Sequence, residues 1–452
     1  MNLSLKEKLA YGVGDTASNL VFMTMLNFLP FFYTDIFGIS AAAVGSLFLG
    51  VRVMDAFVDV SVGVFADRTH TRWGNFRPWL LWFCVPFAVT AILTFTTPQW
   101  SPGAKLAYAW VTYSLLMIAY SAINVPYGAL LGVMTSDPHA RTSLSGVRMV
   151  CAQIGGLIVA GGTLPLINYF SGAQRDRALG YQRTMIVFGI FGMLLFLATF
   201  LFTRERIAPP ADQQHDLKAD VRMLFKNVPW IVVSVAGAVL FIFVSVRLGV
   251  VLYYFKYYIG DESKASLFFI ISSLAAIPEA LLSAPISLRL GKRRTFQLGL
   301  LLAGCFFAAV VVVPPDGVWL LQTLNALGSI STFIVAPLIY SMLGDTADYA
   351  AWKFRRRSTG IIFSASSLAS KVGMGLGGAL TGALLTHFGY VANAAQTPEA
   401  VRGLVLMSSI FPAIGFFLIA AWMMAYRLDE KTSETMRIEL AAAKAPANPV
   451  GA

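Results

Sequence analysis

Charge is scarce in this chain, cysteine and histidine are scarcer, and each shortage removes a class of protein. Asp, Glu, Lys and Arg make up 13% of the 452 residues, against about 25% in a soluble domain. With 57% of its residues hydrophobic, the chain has too little polar surface to cover itself in water. Cys84, Cys151 and Cys305 all fall inside apolar stretches, which excludes a disulfide framework and a CxxC centre. His70, His139, His215 and His387 have no metal-ligand spacing. There is also no nucleophile–histidine arrangement and no phosphate-binding loop, so neither an enzyme nor a metal or organic cofactor is expected.

What charge there is lies in informative places. The net charge of +11 would suit nucleic acid, but 23 of the 34 Lys and Arg fall before the first apolar segment, in 67–78, 135–141, 204–228, 289–294 and 350–358, or after 426. The opposite loops hold Lys105, Arg175, Arg177, Arg183 and Lys264. This is the positive-inside bias of a polytopic membrane protein, and it accounts for the basic balance without nucleic acid.

Spans of about 20 apolar residues are read at 9–33, 41–66, 78–97, 105–134, 141–170, 183–203, 229–258, 264–288, 296–314, 317–345, 359–388 and 401–426. The fold class is therefore all-α membrane protein with twelve transmembrane helices. The even number puts both termini on one side, which the basic loops make cytoplasmic. The N-terminus has no cleavable signal pattern, so the first span is expected to serve as its own insertion signal. The polar stretch 204–228 divides the chain into a first half, 1–203, and a second, 229–427, followed by a tail, 428–452, rich in Ala and Pro. Leu217, Val221, Leu224 and Phe225 predict a short interfacial helix in the linker.

The halves repeat weakly. Pro126 precedes Asp137 by eleven residues, with Arg141 following; Pro337 precedes Asp348 by eleven, with Arg355 to Arg357 following. Two six-span halves related in this way point to a major facilitator architecture, with substrate bound between them near mid-membrane. Gly155, Gly156, Gly373, Gly375, Gly377 and Gly378 predict close helix packing.

Ionisable groups at membrane depth are expensive and face a bundle interior or an aqueous cavity. Arg52, Asp55 and Asp59 are spaced i, i+3 and i+7, hence on one helix face. One arginine cannot cancel two carboxylates, so Asp55 and Asp59 are the candidate cation site. Lys371 lies mid-span and is long enough to reach them. Arg148 can donate a fork to a hydroxyl pair or a carboxylate. Arg247 and Glu279 can pair with each other. Asn19, with Tyr120, Ser121, Asn124 and Tyr127 in span four, presents amide, hydroxyl and aromatic groups suited to a polyol. Asp67, Arg68, Arg77, Asp137, Arg141, Asp345, Asp348 and Arg357 sit at cytoplasmic helix ends, where ion pairs can latch the halves closed.

These stretches resemble the glycoside–pentoside–hexuronide:cation symporter family of the major facilitator superfamily. The motifs are YGVGD at 11–15, YTDIFGIS at 33–40, RVMDAFVD at 52–59, TRWGNFRPW at 71–79, NVPYG at 124–128, and GDTADY followed by Lys371. They run through both halves. The resemblance implies a coupling cation against Asp55 and Asp59, Lys371 beside it, and sugar bound with the help of Arg148. Melibiose carriers have aspartates where this chain has Asn19 and Asn124, tryptophan where it has Gly128, and asparagine where it has Val58. The first changes remove sugar-gripping carboxylates. The last removes an oxygen ligand, which favours a proton over sodium. The Asn19 and NVPYG pattern is more like the glucuronide and pentoside branch. The expected partners are a small sugar or glycoside, the coupling cation and the bilayer of a bacterial inner membrane, with a monomer as the family's usual state. Two other readings stay open: a lipid or lysolipid carrier of the same fold, and a non-transporting sensor.

Overall fold

The computed structural model describes residues 3–135, 137–207, 217–354, 359–428, 435, 436 and 439; the side chains of 138, 217–220, 279–281 and 284 are outside that description. The expectations for Arg357, for 208–216, for most of the tail and for the Glu279 side chain fall on these omitted parts. The described chain is helical, with no strand beyond a single bridge between Thr71 and Gly74.

The first group comprises α1 (Leu5–Phe31), α2 (Ala41–Asp67), α3 (Arg77–Thr94), α4 (Pro102–Met134), α5 (Pro138–Ser171) and α6 (Arg177–Phe202). The short helix α7 (Leu217–Leu224) follows where the linker predicted one, burying Met223 and Leu224 and exposing Val221 and Phe225. The second group is α8 (Val228–Tyr253), α9 (Ala265–Leu274), α10 (Ala276–Leu290), α11 (Lys292–Ala309), α12 (Val318–Phe333), α13 (Val335–Phe354), α14 (Thr359–His387), α15 (Pro398–Ser408) and α16 (Ile410–Trp422). Local sequence sets the ends. Ser4 and Glu7 form a capping box on α1, while Ser40, Asp137, Asp176, Asn227 and Thr397 cap α2, α5, α6, α8 and α15 through side-chain oxygens.

Among the described residues, eleven continuous segments are long and apolar enough to cross a membrane, α12–α13 and α15–α16 each forming one of them. The twelfth span expected, 264–288, is broken at Ala275 into α9 and α10, each too short to cross alone. Large apolar side chains such as Phe57, Val60, Phe65, Trp82 and Leu288 point outward, as lipid-facing residues must.

Span one runs further than the hydropathy reading placed it. A six-residue π-helical segment, Phe32–Phe37, extends α1 until Gly38 turns left-handed at φ +86°. Span seven ends in the same way, with Tyr254–Ile259 and Gly260 at φ +80°. The two groups of helices pack tightly at this end. On α14 the close approach requires glycine: a Cβ on Gly382 would lie 2.3 Å from the Ala41 carbonyl oxygen, and one on Gly378 2.9 Å from the Phe48 Cβ. Gly373 and Gly377 similarly meet α8, whereas Gly156, expected to do likewise, faces open space. The α2–α14 approach thus draws the two groups together at this end.

Candidate functional site

The charged face of α2 forms as the spacing predicts. Asp55 has a fully buried side chain, with 0% exposure. Its Oδ1 accepts from the Ser121 hydroxyl at 2.7 Å and its Oδ2 from Lys371 Nζ at 3.0 Å, while Arg52 Nη1 stands 3.7 Å away. Lys371 also donates to Asp59 Oδ2. The ammonium thus bridges the two carboxylates from α14, joining the second helix group to the first. Asp59 Oδ1 has no partner among the described residues. Asp59 and Lys371 keep 26% and 23% of their side chains exposed, so this pair faces space. Two cations oppose two carboxylates here, and the cluster is neutral when all four are ionised.

A second polar cluster joins α1 to α5. Arg148 grips Asp15 with a fork, Nε to Oδ2 and Nη2 to Oδ1, and its guanidinium lies 5.0 Å from the Tyr127 ring centre. Tyr127 stacks on Tyr11 at 4.7 Å, and each phenol donates to the other's backbone carbonyl. Gly14 leaves room for that ring, since a Cβ there would sit 2.6 Å from it. Asn19 Nδ2 donates to the Asp15 carbonyl, the Ser18 hydroxyl to Asn124 Oδ1, and Asn124 Nδ2 to the Tyr120 carbonyl. Tyr120 precedes Ser121, which serves Asp55, and its carbonyl accepts from Asn124, so it stands beside both clusters.

Of the residues singled out as binding groups, Asn19, Tyr120, Asn124, Arg148 and Lys371 are partly accessible around one region. Ser121 and Tyr127 are buried, the first serving Asp55 and the second bracing α1 and Arg148. Asp15 was missed. Its signal was present, an acidic residue within the first span, which is the argument already applied to Asp55.

Among the described residues, the helix-end groups expected to latch the halves make these contacts in this state. Arg77 donates to the Trp73 and Phe200 carbonyls, Asp137 caps α5, and Arg141 donates to the Thr135 and Gly132 carbonyls. Asp345 pairs with Lys292 at 2.7 Å. Each of these contacts stays within one helix group. Asp67 and Arg68 lie exposed at the end of α2, and Asp348 is exposed within α13. The loop 71–77 is held by a residue the sequence reading passed over: the Glu205 carboxylate accepts from the backbone N–H of Asn75, Phe76 and Arg77, each at 2.8 Å.

The contacts that do join the groups seal the opposite end. Asp35, in the π segment of span one, accepts from Lys256 Nζ at 2.7 Å and the Tyr257 phenol at 2.5 Å, and from the phenol of Tyr390. Burial pushes the Tyr390 phenol up, keeping it a donor. Thr34 meets the Tyr253 hydroxyl at 2.8 Å, and Arg177 forks onto Glu262 at 2.9 and 2.6 Å. Burial holds the Glu262 carboxyl above the usual carboxylate range, against the pull of Arg177. Below this seal a cavity of about 40 Å³ lies between the groups, lined by Thr34, Phe48, Arg52, Tyr113, Tyr253 and Met374 among others.

A sealed end and a buried charged site between two helix groups are the arrangement of a membrane carrier of the major facilitator fold. Solved structures agree on the fold. A bacterial homologue of the human lysosomal transporter Spinster, in an inward-facing and unoccupied conformation, matches with a TM-score of 0.66 at 15% identity, covering 94% of this chain and 97% of that one. The nucleoside transporter NupG matches at 0.65 and 16%, covering 93% and 99%. The sequence family described as MFS/sugar transport protein matches residues 10–430. The isoprimeverose transporter of Lactiplantibacillus pentosus is 36% identical, covering 94% of this chain and 89% of its own. The inner membrane symporter YicJ of Escherichia coli (strain K12) is 34% identical, with 92% and 90% covered. The glucuronide carrier protein homolog of the same strain is 31% identical, with 97% and 96% covered. The chain belongs to the glycoside–pentoside–hexuronide:cation symporter family. It is a multi-pass inner-membrane transporter of the sugar type, and not an enzyme.

Proposed function

We propose that this transporter imports a glycoside, pentoside or glucuronide together with a cation, a proton rather than sodium, by alternating access. The observation that carries the reading is Lys371 of α14 bridging Asp55 and Asp59 of α2. The bridge ties the two helix groups together at mid-depth. Anything that binds those carboxylates in place of the ammonium must loosen that tie, which is what coupling requires. A proton on Asp59 does this with one ligand. Sodium wants several oxygens, and Val58 supplies none.

Sugar binding falls to Asn19, Tyr120, Asn124 and Arg148, with Lys371 at the boundary of the two clusters. Tyr120 offers a ring for a pyranose face, and the amides and guanidinium offer hydroxyl partners. The names of the relatives support a sugar-type substrate. The linker and both termini face the cytoplasm in this reading, by the distribution of Lys and Arg. The sealed end is then periplasmic and the conformation inward-facing, with the groups 1–203 and 229–427 moving as units. Uptake of labelled glycosides into proteoliposomes, with an imposed proton gradient, a sodium gradient or neither, tests the proposal. Accumulation driven by sodium at symmetrical pH would overturn the proton, and no uptake of any glycoside under any gradient would overturn the substrate class.

A further inference from the structure

The sealed end carries on its outer flank a groove that the sugar and cation sites do not use. It lies where three spans reach the membrane boundary: the seventh ends at Ile259, that of α11 ends at Val312, and the last begins at Pro398. The groove is of about 580 Å³, with Tyr258, Val311, Val401, Arg402 and Leu406 in its walls. Its size is that of a ligand site.

Polarity is graded along α15. Gln396 and the capping Thr397 stand at the rim, while Val401 and Leu406 lie further in, at about 1.5 Å per residue. Arg402 lies between these two. It is exposed and forms no ion pair among the described residues, Glu399 one turn before it included. Its aliphatic stem lets the guanidinium rise to the boundary. Trp319, near the start of α12, is 79% exposed at the same end, where an aromatic ring sits at headgroup level. The rim is built rather than loose. Gln396 Nε2 donates to the Val391 and Ala394 carbonyls, and its Oε1 accepts from the Val391 N–H. The Tyr258 hydroxyl donates to the Val313 carbonyl at 2.7 Å, tying the end of the seventh span to the chain that leaves α11.

An apolar wall with one cation near its mouth suits an amphipathic anion. A free sugar would set its hydroxyls against valine and leucine, where they find no partners. An inorganic anion would leave that wall uncovered. A phospholipid meets both demands at the depths where they occur: phosphate at the boundary, where a guanidinium can fork onto its oxygens, and hydrocarbon below it. We propose that this groove binds a glycerophospholipid of the leaflet at the sealed end, its phosphodiester on Arg402 and an acyl chain along Val311, Val401 and Leu406.

The test uses the purified full-length protein in detergent, stripped of lipid and titrated with dioleoyl phosphatidylglycerol. The phospholipid is expected to raise the unfolding temperature saturably. Dioleoylglycerol, which has the chains without the phosphate, and inorganic phosphate, which has the charge without the chains, are expected to leave it unchanged. Arg402→Gln, at an exposed position, is expected to unfold like the parent without lipid and to raise the half-saturating lipid concentration about tenfold. Crystals grown with a phospholipid brominated in its acyl chains are expected to give an anomalous peak beside Val401 and Leu406. A response that grows with lipid without saturating overturns the site, as does one that dioleoylglycerol or inorganic phosphate reproduces. So does a saturable response that Arg402→Gln leaves unmoved, because the lipid then sits elsewhere.

Discussion

Asp35 and Lys256 occupy the matching π-helical ends of the first and seventh spans and meet at 2.7 Å across the divide between the helix groups. Each half thus supplies one charge of the pair from the same place in its own repeat. A π segment carries one extra residue per turn relative to the α-helix, which keeps these side chains in the helical stack where a chain leaving at residue 33 would have released them into a loop. The aspartate is fully buried and the lysine 27% exposed. The contact therefore gains from desolvation at one end and keeps access to water at the other.

If this pair holds the sealed end shut, Asp35→Asn should shift the population toward opening there. Breaking a buried pair costs about 3–5 kcal/mol. The exposed lysine lowers that to about 1–3 kcal/mol, which corresponds to roughly a 5- to 150-fold change in the ratio of the two states. Paired spin labels on loops 172–176 and 260–264 should report longer distances in the variant than in the parent. Identical distance distributions would show that the aromatic contacts and the Arg177–Glu262 fork close that end without the Asp35 carboxylate.

Arg148 and Asp15 form a unit, and their variants should not add. Arg148→Ala removes a charge-assisted donor from the proposed sugar site and should weaken substrate binding by about 1.5–3 kcal/mol, roughly 10- to 100-fold. Asp15→Ala leaves the guanidinium in place without its orienting carboxylate, and should weaken binding in the same direction. The double variant should fall short of the sum of the two. Calorimetric titration with a panel of xylosides, glucosides, galactosides and glucuronides measures all three; parent-like affinity in Arg148→Ala would remove it from the binding site.

The charged face of α2 and the reach of Lys371 were legible because both follow from spacing and side-chain length within or between spans. What the sequence left open is which helices touch. The Asp15–Arg148 pair joins residues 133 apart and Asp35–Lys256 residues 221 apart, and no local pattern encodes such partners. Asp15 carried the right signal, a carboxylate inside a span, within the motif YGVGD. Asp35 was hidden because hydropathy ends the first span at 33, while the backbone continues through its π segment to Phe37; Lys256 lay inside the seventh span, and nothing local tied it to Asp35. Ser121 and Tyr127 share the face of α4 that also holds Asn124, and only packing separates the buried hydroxyls from the accessible amide.

Coupling gives the sharpest test of the α2 site. In the state described here Lys371 sits between Asp55 and Asp59, and Asp59 Oδ1 is left over. With Arg52, the ammonium balances the charge of the two carboxylates in this state. Protonating Asp59 leaves one carboxylate for two cations, so Lys371 is held less firmly and the α2–α14 tie weakens. Asp59→Asn mimics the protonated state permanently. It should abolish accumulation against a gradient while preserving exchange of substrate across the membrane. Asp55→Asn removes the fully buried acceptor of both Ser121 and Lys371. It should abolish accumulation too, with a loss of stability of about 1–3 kcal/mol for the unsatisfied groups. Lys371→Met takes away the tethered cation and leaves Arg52 facing two carboxylates. An external cation should then bind more tightly, yet its release should no longer be assisted, so exchange should slow. Proteoliposome accumulation and counterflow, run in parallel on the three variants, separate these outcomes. Undiminished accumulation in the Asp55→Asn, Asp59→Asn double variant would place the coupling site elsewhere.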